Sequence, residues 1–336
     1  METILIDENR PQYKANLHCH SVLSDGHLTA EQLKEAYKAH GYSVLAITDH
    51  ERTCDHTALS EPGFLMLTGY EMYIRPGNKY DDFGQEIHMN LFARDPHNVG
   101  MINYNPDVAR YTPPEEKERV TLLGRQEPRQ YTAGYINRTI GTAKKNGYIV
   151  AYNHPYWSHE DIRDVISYRG FFSMEMCNYA SWAENFLEYN GQLYDALLRE
   201  GVRIACHSAD DNHNASPFDS PRNDSFGGFT YILADELTYD SVFRALEEQR
   251  FYSSMGPEIK SLTVDGDTVR VKTSPVNRIF LHCGRKSPKM VLSADGSDVT
   301  EAEFRIPERA DYIRISAVDS RMRFADTRGY FRDEWA

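Results

Sequence analysis

"TAEQLKEAYKAHGYSVLAITDH", residues 29–50, holds a complete structural phrase. Leu33, Ala36, Tyr37 and His40 recur at three- and four-residue spacing, which predicts an amphipathic helix begun by Thr29 and stopped at Gly41. An apolar strand from Val44 to Ile47 follows and finishes in Asp49-His50. The phrase returns twice with different letters. In "IGTAKKNGYIVAYNHP" (140–155) Gly147 stops a helix, Tyr148 to Tyr152 form the strand and His154 ends it. In "LYDALLREGVRIACHSADDNH" (193–213) Gly201 precedes a strand over Val202 to Cys206, then His207, Asp211 and His213. Buried strands alternating with amphipathic helices predict a parallel sheet covered by helices. "FLMLTGYE" (64–71) and "GFFSMEMCN" (170–178) add strands that end in Glu71 and in Glu175 to Asn178. Polar residues after the carboxyl ends of so many strands favour a closed α/β barrel, which gathers them around one mouth, over an open sheet.

The texture changes after Gly256-Pro257. "IKSLTVDGDTVRVKTS", "VNRIFLHCG" and "ADYIRISAVDS" alternate apolar and polar residues, with Asp-Gly turns at 265–266 and 295–296, as half-exposed antiparallel strands do. The expected organisation is therefore a barrel over 12–257 and a β-rich, sandwich-like domain over 258–336, a size that a small domain can have. Residues 94–146 are polar and proline-bearing and too long for a plain connection, which suggests a lid or specificity insertion within the barrel.

The chain of 336 residues carries 37 Lys and Arg against 50 Asp and Glu, a net charge of −13, which argues against nucleic acid as a partner. "METILIDENR" has neither a basic region nor an apolar run, and no stretch of about 18 apolar residues occurs, so a cytoplasmic protein without a membrane partner is expected. The five cysteines are scattered without CxxC spacing and are expected to be reduced. Neither a Walker loop, nor a GxGxxG opening a helix after a strand, nor a GxSxG elbow is present, which argues against nucleotide cradling and serine hydrolysis.

"NLHCHSVLSDGH" (16–27) is the densest stretch. His18 and His20 are two apart, and on a strand that spacing points both imidazoles to one face. Neutral imidazoles suit zinc, iron or manganese rather than calcium. Together with Asp25, His50, Glu71, His88, His154, Asp211 and His213, nearly all at strand ends, the pair reads as part of a metal cluster. His97 is a rival to His88, Asp49 reads as the orienter of an imidazole, and Asp210 as solvent-facing or supporting.

These motifs resemble those of the PHP (polymerase and histidinol phosphatase) metallohydrolases, an amidohydrolase-like family, over roughly residues 13–257. "LHCHSVLSDG" looks like its first motif, "ITDH" its second, "YNHP" its third and "SADDNHN…DSFGG" its fourth. The pattern is most like the bacterial branch with a C-terminal β domain, which includes phosphoesterase-like and carbaryl-hydrolase-like proteins. The resemblance implies a distorted (β/α)7 TIM-like barrel holding two or three divalent ions, Mn2+, Fe2+ or Zn2+. It implies that His18, His20, Glu71 and Asp211 hold the first, that Glu71 bridges to a second held by His88 and His154, and that Asp25, His50 and His213 hold the third. A carboxylate can span two cations ~3.5–4 Å apart, as two-metal hydrolysis needs.

Adjacent divalent ions bring the pKa of a shared water into the neutral range and so supply hydroxide without a protein base. The expected reaction is hydrolysis of a small phosphorylated metabolite, a phosphomonoester first. The alternative on the same site is a carboxylic ester, carbamate or amide. A phosphate dianion wants guanidinium or ammonium partners, for which Arg75, Lys79 and Arg222 are the candidates. His207 is placed to protonate the leaving oxygen or bind phosphate, with Asp211 and His213 beside it, while Glu175 and Asn178 are expected to touch substrate at the mouth. A cationic clamp facing the metals would favour phosphate; an apolar Tyr-lined pocket would favour the ester. A binding module with a vestigial barrel would have lost ligands, and this set is complete. Oligomeric state is not read from the sequence.

Overall fold

The computed structural model describes residues 2–78, 84–186 and 188–335. Two short strands come first, β1 (Thr3–Ile6) and β2 (Gln12–Asn16). The 29–50 phrase then forms as its spacing requires. Thr29 caps α1 (Ala30–Ala39) by accepting from the Gln32 amide, and the Gln32 side chain accepts the Thr29 N–H in return. Leu33 and Tyr37 are its buried face, and β3 (Val44–Ile47) follows. The chain continues through β4 (Leu65–Ile74), β5 (Ile87–Ala93), the short pair β6 (Met101–Ile102) and β7 (Leu122–Leu123) with α2 (Pro114–Lys117) between them, α3 (Ala133–Lys145) and β8 (Tyr148–Tyr152). Next are α4 (Ile162–Val165), β9 (Ser173–Asn178), α5 (Gly191–Arg199), β10 (Ala205–Ala209), β11 (Phe229–Leu233), α6 (Tyr239–Glu247) and β12 (Phe251–Ser254). Gly41, Gly147 and Gly201 follow α1, α3 and α5 with φ of 76°, 81° and 76°. A Cβ on any of them would meet nothing within 4 Å, so the left-handed φ alone demands glycine there.

One sheet takes the order β10-β9-β8-β5-β4-β3-β2-β11-β12 and runs on into C-terminal strands. It is mixed, where the repeated phrase predicts a parallel one. β5 is antiparallel to both β4 and β8, and β11 is antiparallel to β2 and β12. β4 and β5 are joined by residues 75–86, a short connection that suits an antiparallel pair. Reversal puts the start of β5 beside the end of β4, with His88 opposite Tyr73. β10 also departs from expectation: it begins at Ala205, opposite Ser173, because Val202 N–H is spent on Leu197 O in closing α5. His207 therefore lies inside the strand rather than at its end. Beyond β10, Asp211 N–H donates to His18 O (2.9 Å) and His20 N–H to Asn212 O (3.1 Å), so the chain after β10 meets the chain after β2.

The C-terminal strands are antiparallel, as their alternation predicts. They are β13 (Ile259–Asp265), β14 (Thr268–Val276), β15 (Arg278–His282), β16 (Lys289–Leu292), β17 (Val299–Arg305), β18 (Tyr312–Val318), β19 (Phe324–Thr327) and β20 (Tyr330–Phe331). A four-stranded sheet, β1-β13-β14-β17, enlists the N-terminal strand. It shares an apolar core with β15 and β18, built from Leu262, Val269, Val271, Ile279 and Ile315. β19 pairs with β12 through Ser253↔Asp326, which makes the long sheet continuous.

Arg314 locks this region onto α5. Its buried guanidinium donates to both oxygens of Asp195 (2.7 Å each) and to Asp326 Oδ1 (2.9 Å). Removing one partner of a buried ion pair strands the others, at a cost of ~3–5 kcal/mol. We expect Arg314→Met to lower the free energy of chemical unfolding by about that amount. An unchanged denaturation midpoint would contradict the lock.

Candidate metal centre

Strand ends bring the predicted cluster together. His18 and His20 follow β2, His50 follows β3, Glu71 lies on β4, His88 opens reversed β5, His154 follows β8 and Asp211 follows β10. His18, His20 and Glu71 are fully buried. Their ligand atoms, with Asp211, form one compact group; His20, Asp25, His50 and His213 form a second; His50, Glu71 and His88 form a third. The third grouping differs from the implied Glu71–His88–His154 site, because His50 stands beside Glu71 (Nδ1 to Oε2 2.8 Å) while His154 Nε2 reaches between Glu71 Oε1 (3.3 Å) and Asp211 Oδ2 (3.8 Å). Backbone strain collects here: His154, Asp211 and Glu51, next to His50, all have positive φ.

The donor set fits divalent cations. His18 Nδ1 lies 2.7 Å from Glu175 Oε1 and must donate to it. In the neutral ring Nε2 is then a lone pair, yet it faces Asp211 Oδ1 at 3.0 Å, Glu71 Oε1 at 3.3 Å and His20 Nε2 at 3.3 Å. Lone pairs converge in this way on a cation. Other rings repeat the pattern: one nitrogen is tethered, His213 Nδ1 to Asp211 O (2.9 Å) and His20 Nδ1 to Ser24 Oγ (3.4 Å), and the other faces carboxylates. Asp25 Oδ1 is enclosed and accepts no hydrogen bond among the described residues, and the enclosed Glu71 Oε2 faces His50 Nδ1 at 2.8 Å. Electrostatics agree. Burial opposes charge on Glu71, but His18, His88 and His50 hold its carboxyl well below the usual range, and burial likewise works against Asp25 while His50, His20 and His213 bring it down to about 2. Burial disfavours the charged ring of His154, but Glu71 and Asp211 carry it up to about 9. Protons on these imidazoles balance carboxylates that cations would otherwise balance.

A cavity of ≈ 280 Å3 opens over this cluster. Arg75 and Arg110 line it, with Trp157 against His88 and His154 (ring centroids 5.3 and 4.9 Å apart). Arg75 Nε meets Glu86 Oε2 at 2.7 Å and its guanidinium lies 4.1 Å from the Tyr73 ring. Glu86 in turn reaches His88 Nε2 at 3.4 Å.

Other expectations are placed elsewhere. Glu175 and Asn178 are fully buried outside the cavity lining. Glu175 also accepts the His154 N–H (2.7 Å), and the Asn178 amide joins Glu175 to Asp211 (3.0 Å each), so both hold ligand-type residues in place from behind. His207, interior to β10, binds Ser173 Oγ (3.0 Å) away from the cavity, and burial holds its ring down at about 4, neutral and a poor proton donor near pH 7. Arg222 is exposed and does not line the cavity, while Lys79 lies outside the described residues. His97 is exposed and paired with Asp55, leaving His88 as the cluster member. Asp49 accepts from Ser21 and Ser24, and so shapes the 21–24 turn rather than binding an imidazole directly. Asp210 is buried, clasping Tyr37 and the Phe226, Gly227 and Gly228 amides.

Several residues go unnoticed in the sequence reading. Glu86 sits two before His88 and shares its face, a period-two clue; Trp157 follows His154 by three. Arg110, Tyr111 and Arg129 lie in the polar insertion, where no periodicity marks them. Arg129 pairs with Glu51 while buried (Nη2 to Oε2 2.7 Å), pinning the insertion to the residue after His50. Removing the carboxylate behind a ligating histidine costs ~10–100-fold in metal affinity. We expect that loss in Glu175→Gln, measured by competition with a metallochromic chelator; wild-type affinity would show that Glu175 does not support His18.

A comparison with curated proteins finds no match. Among solved structures, a two-domain protein from Bacteroides vulgatus containing a predicted PHP-like metal-dependent phosphoesterase is 14% identical, with a TM-score of 0.45 over 97% of this chain and 88% of that one. An amidohydrolase from Chromobacterium violaceum with bound sulfate is 18% identical, with a TM-score of 0.40 over 59% and 87%. Residues 16–205, more than half the chain and the span from the first histidine pair to the start of β10, match the PHP domain, and the chain belongs to that family.

Proposed function

We propose that this protein is a metal-dependent phosphoesterase acting on a small phosphorylated metabolite, with a phosphomonoester as its substrate. On this reading the seven strands β10-β9-β8-β5-β4-β3-β2 are a distorted (β/α)7 barrel, completed by the contact between the segments after β10 and β2. Residues 258–336 are its β-rich companion, with β1 added to it. His18, His20, Glu71 and Asp211 would hold one ion, Glu71 with His88 and His154 a second, and Asp25, His50 and His213 a third, with His50 standing close to Glu71 as well. Bound there, divalent ions supply Lewis acidity and lower the pKa of a water toward neutrality.

The observation that carries the choice of bond is the pairing of two guanidiniums with this cluster in one cavity. Arg75, oriented by Glu86 and Tyr73, presents its charge from the β4 side; Arg110 does so from the insertion, over the Tyr111 ring. Arginines at that position can neutralise the non-bridging oxygens of a phosphate and orient it for in-line attack. Trp157 forms a flat apolar wall beside His88 and His154, fitted to the organic part of a compact substrate.

The test is a side-by-side assay of Mn2+-loaded protein on phosphomonoesters, phosphodiesters and aryl esters. We expect phosphate release that chelation abolishes. Ester cleavage alone would move the assignment to a carboxylic ester, carbamate or amide hydrolase. His20→Ala and Asp211→Ala are each expected to lose turnover and bound metal with far-ultraviolet circular dichroism unchanged. Arg110→Ala, outside the cluster, is expected to raise KM for the phosphomonoester about tenfold, the order of one charge-assisted hydrogen bond. Full activity in either cluster variant would sink the site assignment.

A further inference from the structure

We propose that Tyr111 is a positioning residue for the Asp25–His50–His213 group, and that through it the part of the 94–146 insertion that precedes α3 sets how firmly that group holds its ion; this rests on reading the site as a metal centre. The Tyr111 hydroxyl donates to Asp25 Oδ2 at 2.8 Å. Its ring lies over His50, with centroids 6.0 Å apart and planes 18° apart. One side chain thus touches two members of the group.

Asp25 needs such support more than its neighbours do. The other carboxylates of the cluster, Glu71 and Asp211, lie on β4 and directly after β10, whereas Asp25 sits in the irregular 21–28 turn with a quarter of its side chain exposed (26%). Its Oδ1 is enclosed, accepts no hydrogen bond among the described residues, and faces His213 Nε2 at 3.5 Å and His20 Nδ1 at 3.7 Å. With Oδ2 held by the phenol and facing His50 Nε2 at 3.6 Å, the carboxylate is turned so that Oδ1 faces His213 and His20. A carboxylate fixed by one donor loses less rotamer freedom when it ligates, so the donor strengthens binding by preorganisation.

Tyr111 is itself fixed. Thr112 Oγ1 donates to Glu51 O (3.3 Å) and Glu51 holds Arg129, so two residues after Tyr111 tie the segment to the residue following His50, while before it the Tyr73 hydroxyl donates to Val108 O (2.5 Å). The insertion and the ligand turn are therefore one mechanical unit around this group.

The experiment compares wild type, Tyr111→Phe and Asp25→Asn as full-length protein, stripped with chelator and titrated with Mn2+ by calorimetry, with bound metal counted by elemental analysis. Asp25→Asn identifies the ion of this group as the one it loses. Tyr111→Phe keeps the ring over His50 and removes only the donor; we expect that same ion to bind ~10–100-fold more weakly with the other affinities and the melting temperature unchanged. A Tyr111→Phe titration matching wild type overturns the proposal, as does an equal weakening of every ion. If wild type binds no Mn2+, the metal-centre reading itself falls; if Asp25→Asn loses no ion, only the assignment of this group falls.

Discussion

Glu71 Oε1 lies 3.0 Å from His88 Nδ1 and 3.3 Å from both His154 Nε2 and His18 Nε2. An enclosed carboxylate with imidazoles on three sides is costly in any protein unless charge balances it. That constraint explains much of the surrounding architecture. Glu175, Asn178 and Glu86 exist in their places to hold the rings in one orientation, and the reversal of β5 supplies a histidine that an all-parallel sheet could not have placed opposite Tyr73. The strained backbone at His154 and Asp211 belongs to the same account, since the surrounding hydrogen bonds over-determine both positions.

A second buried charge pair governs what lies above. Glu51 and Arg129 are both nearly inaccessible, and Tyr73 N–H adds a bond to Glu51 at 3.0 Å. Burying such a pair gives little net stability but penalises alternative arrangements of the insertion, because each would leave one charge unpaired. Arg52, with its bonds to Leu23 O and Glu116, adds a more exposed tie between the same turn and α2. The polar segment that the sequence marks only as too long is in this sense one of the better-anchored parts of the mouth.

What could be read from the sequence followed periodicity and spacing. The three helix–glycine–strand phrases are legible because helix face, left-handed glycine and buried strand each leave a separate trace, and His18, His20, His50, His154 and Asp211 stand where a strand has just ended, while Glu71 lies within β4. His88 was harder because it opens its strand, a consequence of chain reversal that no local pattern announces. The sequence places Glu175 and Asn178 at the mouth and His207 at a strand end; the depth of a side chain depends on strand register, and β10 starts three residues later than its apolar run suggests. Tyr111 and Arg129 act through contacts 86 and 78 residues distant in sequence, which composition cannot encode.

The continuity of the long sheet sets how the molecule can come apart. β12 lies between β11, which borders the cluster through β2, and β19, which belongs to the C-terminal strands. Removing residues 258–336 would uncover the β12 edge that pairs with β19, as a template for pairing with another molecule. Amide protons of β12 and β19 should accordingly exchange with solvent as one cooperative block, so the metal-type cup and the distant β strands open in the same event rather than in sequence.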